Sequence, residues 1–220
     1  MRLTGSIRSN AVTALTAIIA AGSLTLGVTM ALFSATDTSG TNTFASGTVE
    51  VGPDGASTTC AVTGMAPGDS STGWGSGSRS LTPCNYKVKY TGSEPAYLAV
   101  DILIDAGTTP LYTAAASGLQ MRVGAGAVTF MDGTSYTRMD GTPSAVTAGT
   151  PVTNLLLSTT AAQTGETVQF DVDYLLPTIA PNALQGGSAS VSLTFHAVQA
   201  ANQSTGSCVA GHQCSALSWG

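Results

Sequence analysis

Apolar and polar positions alternate along several short stretches of this 220-residue chain. In residues 84–90, Tyr86, Val88 and Tyr90 share one parity and Lys87 and Lys89 the other. That is the pattern of a half-buried strand. Residues 96–104 form a second apolar run, with Asp101 and Asp105 on the same parity as Leu103. Residues 167–174 set Val168, Phe170 and Val172 against Gln169, Asp171 and Asp173, which predicts that Asp171 and Asp173 face solvent. Residues 189–199 set Val191, Leu193, Phe195 and Ala197 against Ser192, Thr194 and His196, which places His196 on the outer face of a sheet. Shorter strands are expected at 58–63 and 152–158. Two more fall within 123–137, parted by the favoured turn Asp132-Gly133, and Asp140-Gly141 is a second such signal.

Helical spacing occurs once, in residues 110–121, where Leu111, Ala114, Ala115 and Leu119 follow Pro110 and Gly118 interrupts. A short helix or a loop is expected there. Turn clusters separate the strands. In Met65-Ala66-Pro67-Gly68-Asp69-Ser70, Pro67 and Gly68 suit the two corners of a type II turn. The Gly/Ser-rich stretch 70–80 around Trp74 reads as a mobile loop. Many short strands, regular turns and at most one short helix predict an all-β, antiparallel β-sandwich. Periodicity does not separate a jelly roll from an immunoglobulin-like sandwich.

The first 31 residues differ from the rest. Arg2 and Arg8 precede residues 11–33, which carry no charge. A basic start, an apolar run and small residues before Ala31 predict a signal peptide (1–31), cut by a signal peptidase between Ala31 and Leu32. The run is also long enough for a retained transmembrane anchor. The membrane would then be met only through the uncleaved precursor. The expected organisation continues with an N-terminal segment (32–51), a sandwich domain (52–200) and a disulfide-containing tail (201–220).

Charge narrows the function classes. Only 9% of residues are charged, and without Arg2 and Arg8 the chain has 12 acids against five bases, a net −7. Such a surface lacks the cationic stripe that phosphate binding needs, so no nucleic-acid partner is expected. Four cysteines in an exported chain read as two disulfides. Of three pairings, Cys60–Cys84 and Cys208–Cys214 are favoured; the first staples the Gly/Ser-rich loop and the second closes a small loop in the tail. A metal site from Cys208, His212 and Cys214 is the alternative, but it lacks a fourth ligand and the usual spacing. No H-E-x-x-H, G-x-S-x-G or phosphate-loop motif is present. Accordingly no catalytic, cofactor-binding or metal residue is assigned, and the chain is not expected to be an enzyme.

Several motifs recur in a familiar order. They are Asn42-Thr43-Phe44-Ala45-Ser46-Gly47-Thr48-Val49, then Met65-Ala66-Pro67-Gly68-Asp69-Ser70, then Tyr86-x-Val88-x-Tyr90-Thr91-Gly92 leading to Ala96-Tyr97. Asn182, Gln185, Gly186, Phe195, Ala197 and Gln199 form the last block. In these the chain resembles the TasA/camelysin family of secreted bacterial matrix proteins, processed by SipW-type signal peptidases. The resemblance implies a jelly roll, a central hairpin at 84–104, and an extracellular, cell-surface or biofilm-matrix location. It also implies fibres built by donating the N-terminal segment to a neighbouring copy or related subunit, with Phe33, Phe44, Gly47 and Val49 in that segment. Two candidate disulfides and the Cys-containing tail depart from the family pattern. The alternatives are a camelysin-like protease or hydrolase, and a carbohydrate-binding or adhesive surface module with Tyr86, Tyr90, Tyr97, Tyr112, Trp74 and Trp219 as a stacking platform.

Overall fold

The computed structural model describes residues 59–74 and 79–219, and the backbone of 34–37 and 51–53. The cut at Ala31/Leu32 and the assembly-segment residues Phe33, Phe44, Gly47 and Val49 lie outside the described residues. The strands are β1 (Ser34–Asp37), β2 (Val51–Pro53), β3 (Thr59–Thr63), β4 (Ser70–Ser71), β5 (Ser80–Leu81), β6 (Cys84–Tyr90) and β7 (Ala96–Asp105). Then follow β8 (Gln120–Ala125), β9 (Val128–Gly133), β10 (Ser135–Thr137), β11 (Pro143–Ala145), β12 (Val152–Leu156), β13 (Thr167–Leu175) and β14 (Ser188–Gln199).

Two sheets pack face to face. The first runs β1-β14-β7-β12, with β3 beside β1 on the same edge of β14. The second runs β11-β10-β9-β8-β13, and β13 is flanked on its far side by β6 and by the short parallel pair β4–β5. The chain changes sheet at every link from β1 to β4, between β6 and β7, between β7 and β8, and at every link from β11 to β14. This winding puts sequence neighbours in different sheets, as a jelly roll does.

The period-2 expectations hold along the long strands because each has one face on the core. Burial alternates through β6, where Tyr86, Val88 and Tyr90 turn inward. Phe195 of β14 meets Phe170 of β13 at 4.9 Å between ring centroids, and Phe170 meets Phe130 of β9 at 5.6 Å. This aromatic column joins the two sheets, and each fully buried ring contributes about 2–3 kcal/mol. Burial also pushes the Tyr86 phenol upward, and those of Tyr90 and Tyr112 up to about 12. The Tyr112 hydroxyl donates to the Val146 carbonyl at 2.8 Å. The Tyr86 hydroxyl is buried and has no hydrogen-bond partner among the described residues.

Three sequence expectations need correction. Residues 84–104 are not a hairpin: β6 pairs with β13 and β2, while β7 pairs with β14 and β12. The polar link at 91–95 carries the chain across the sandwich. Residues 123–137 form parts of three strands, not two. A tight turn at Gly126-Ala127 brings Ala125 opposite Val128, and Gly133-Thr134 makes the next one. Asp173 does not face solvent; it is 8% exposed. Residues 110–119 are loop, and the only helical turn among the described residues is the 3-10 turn Asn182–Leu184. The Pro67-Gly68 corner is as expected. Gly68 has φ +94°, and the Asp69 amide donates to the Ala66 carbonyl at 3.0 Å.

Candidate functional site

Strand β1 and the C-terminal tail fall on opposite edges of the first sheet. At one edge β1 lies antiparallel on β14, with Ser34 opposite Val198 and Asp37 opposite Phe195. β3 covers the other half of that edge, from Thr63 opposite Ser188 to Thr59 opposite Ser192. The two short strands thus share one side of a 12-residue strand. They are held differently. Cys60 of β3 is bonded to Cys84 of β6, which staples this edge to the second sheet. A bridge closing that loop contributes about 3.5 kcal/mol in chain-entropy terms.

At the opposite edge the tail adds itself to β12. The amides of Gly211 and Cys214 donate to the carbonyls of Leu156 and Asn154 at 2.8 and 2.9 Å, and the Leu156 amide donates to the His212 carbonyl at 2.9 Å. The Gln213 amide donates across to Thr137 of β10 at 3.0 Å, so the tail bridges both sheets. The Cys208–Cys214 disulfide closes the loop. A small second core forms beneath it on the outer face of the first sheet, from Leu156, Val198, Leu217 and the disulfide, with Tyr97, Met139 and Trp219 at its rim.

Both favoured disulfides are therefore present, and the sulfurs of Cys208 and Cys214 are bonded to each other. Among the described residues no three His, Cys, Asp or Glu side chains come together to hold a metal ion. His196 does lie on the outer sheet face, yet it is only 8% exposed. Its Nε2 sits 2.8 Å from Asp101 Oδ2, and Asp101 Oδ1 accepts the Asn154 amide at 2.7 Å. The pair ties β14, β7 and β12 together across their outer face.

A third region lies on the outer face of the second sheet. Arg122 places its guanidinium 5.3 Å from the Trp74 ring centroid and 3.2 Å from Asp173 Oδ2. Asp173 Oδ1 accepts from the Ser71 hydroxyl at 2.8 Å. Beside this cluster is a polar cleft of about 290 Å³, lined by Arg122, Gly124, Thr129, Asp171 and Asp173. The side chain of Gln169 donates to Asp171 at 3.3 Å. The carboxylates at this cleft are thus engaged by the protein's own donors.

No family model, curated protein or solved structure matches the chain.

Sequence reading found the cysteines and the inward faces of β6, β13 and β14. It missed the cap on β12, because a tail rich in Gly, Ser and Gln carries no strand periodicity. It also missed the Ser71–Asp173–Arg122 contacts. The usable signal there was Arg122, the one charged residue of β8.

Proposed function

We propose that this protein is a secreted, non-enzymatic structural subunit of a bacterial cell-surface or biofilm matrix, assembling by exchange of its N-terminal strand. The observation that carries this reading is the register of β1 on β14. β1 supplies the hydrogen-bonding edge that β3 leaves free, and residues 38–50 separate β1 from β2 in the other sheet. A connection of that length reaches at most about 47 Å. The same strand from a neighbouring copy would make the same backbone pairing, so exchange needs no new contacts. Donor and acceptor are different surfaces, so each copy would accept one strand and give another. Such a head-to-tail contact does not close, and it propagates.

The TasA/camelysin motifs and the leader expected at 1–31 agree with this reading. Two closed disulfides suit an oxidising compartment, which supports export. The partners are then a signal peptidase and further copies or related matrix subunits. The test is electron microscopy of residues 32–220 at high concentration, beside a chain lacking residues 32–43. Filaments are expected from the first and a folded monomer from the second. Filaments unchanged by the deletion would sink the exchange reading.

A second reading has its own observation. Trp74 stacked on Arg122 beside a polar cleft is the kind of surface that binds a sugar ring, through its apolar face and its hydroxyls. Loss of glycan retention in Trp74→Ala would support a carbohydrate-binding surface; equal retention would remove it.

A further inference from the structure

We infer that the C-terminal disulfide loop is an edge guard, and that β12 beneath it is a self-complementary surface for the β12 edge of a second copy. This does not rest on strand exchange at β1, because it concerns the opposite edge of the sheet.

The argument starts from the sequence of the edge. Val152-Thr153-Asn154-Leu155-Leu156-Leu157 has no charge and no proline. Natural edge strands avoid pairing with other chains through charged side chains, prolines, bulges or a cover. β12 has a register shift between Val152 and Leu155, which protects its first half. The second half, at Leu155 and Leu156, has only the tail. The tail satisfies the Leu156 amide and the carbonyls of Leu156 and Asn154. It also buries Leu156 and Val198, each 0% exposed, on the outer face.

Lifting the tail uncovers unpaired backbone groups and an apolar patch together. An uncharged, strand-forming edge beside apolar side chains matches another copy of itself across a twofold axis, with antiparallel pairing. A cap held covalently opposes lateral pairing of this kind by keeping the edge covered.

Gly211 shows that the cap is built for this seat. It has φ +84°, and a Cβ there would lie 2.5 Å from the Thr129 carbonyl oxygen of β9. No side chain fits, so a bulky residue at 211 lifts the loop while leaving the disulfide intact.

The experiment uses residues 32–220, which contain the whole Phe33–Gly220 unit. Two variants open the edge by independent routes: Cys208→Ser with Cys214→Ser, and Gly211→Val. Cys60 and Cys84 are untouched in both. Hydrogen exchange at the Leu156 amide reads the cap, and light scattering after size exclusion reads association. In both variants the Leu156 amide is expected to exchange at least about tenfold faster, with a concentration-dependent dimer appearing. Adding Thr153→Lys to either variant should return the monomer, since an edge lysine blocks strand pairing. A fast-exchanging Leu156 amide in a chain that stays monomeric overturns the proposal. So does a Leu156 amide that remains protected in both variants, and so does a dimer indifferent to Thr153→Lys. Deleting residues 34–37 as well separates the two readings. The β12 dimer should survive that deletion, whereas assembly through β1 should not.

Discussion

The two edges of the first sheet are closed by opposite means. At β14 a four-residue strand from the N-terminal segment sits in backbone register beside β3. At β12 the tail is closed by a disulfide, carries its own apolar cluster and bonds to both sheets. Any sandwich must satisfy or hide its edges, because exposed N–H and C=O groups pair with other chains. A cap held by backbone pairing can be exchanged for an identical one, whereas a cap closed by a covalent bond and a local core cannot leave without cost. Two exchangeable edges would give branched or amorphous association, and two locked edges a monomer. Under the function proposed above, one of each would give an assembly unit with a direction. The Cys60–Cys84 staple fixes β3, so on that proposal only the β1 half of the β14 edge would be open to exchange.

The largest expected effect removes the distinction altogether, by unfolding the core that both edges share. Tyr90 and Tyr112 have phenols raised from 10 to about 12, chiefly by burial and, at Tyr90, also by Glu94. A raised folded-state value means that the neutral form is favoured in the fold. Its stabilisation is complete below pH 10 and is lost as pH rises through 12. Near-ultraviolet dichroism should therefore collapse cooperatively above about pH 11, with both edges opening at once. Tyrosinate appearing near pH 10 from these two residues in an intact fold would show that they are not held as described.

Next in size is the staple. Cys60→Ala with Cys84→Ala should lower the unfolding free energy by about 3.5 kcal/mol in chain-entropy terms, seen as a drop in the denaturant midpoint. The tail bridge closes a shorter loop, so Cys208→Ser with Cys214→Ser should cost less, about 2.4 kcal/mol by the same relation. The two losses should also differ in kind. The first is global, because β3 and β6 belong to different sheets of the main core. The second should fall on the tail's own cluster, with exchange speeding at Leu156 and unchanged across residues 190–195 of β14. A global loss from the tail bridge, equal to that from the staple, would erase the contrast between the edges.

Much of this architecture was legible in the sequence, and its failures share a cause. Period 2 is visible wherever one face packs on the core and the other meets water, as in β6, β13 and β14. The sandwich and its inward residues follow from that. Pairing partners are not encoded in the period. The polar link after Tyr90 serves equally as a hairpin turn or as a crossover, and the structure makes it a crossover. Asp173 was placed in solvent by its parity. It has the outward parity, but β4 and its following loop cover it, and Ser71 and Arg122 satisfy it. His196 is the same case on the other sheet, where Asp101 meets it. Outward parity specifies a face, and only tertiary structure decides whether that face is covered. The disulfides were legible because the export expected from residues 1–31 leaves few alternatives for four cysteines. The cap they help to close was not, because its strand-like pairing comes from a segment whose side chains have no period.

The smallest expected effect tests whether the tail's closure is local. The Trp219 indole nitrogen donates to the Cys214 carbonyl at 2.8 Å, folding the last residues back over the disulfide. Trp219→Phe keeps most of the apolar body and deletes that bond, so about 1 kcal/mol is at stake, or roughly a fivefold change in opening. If the tail opens as its own unit, that factor should appear in exchange at Leu156 and the denaturant midpoint should barely move. Val198 makes the measurement informative about both edges. Its side chain lies in the tail's cluster, while its backbone stands opposite Ser34 of β1. Backbone pairing at β1 depends little on what covers the Val198 side chain, so exchange across residues 195–198 should stay as it was. A matching fivefold rise there would mean that the two caps open together through Val198, and that the N-terminal strand is exchangeable only when the tail allows it.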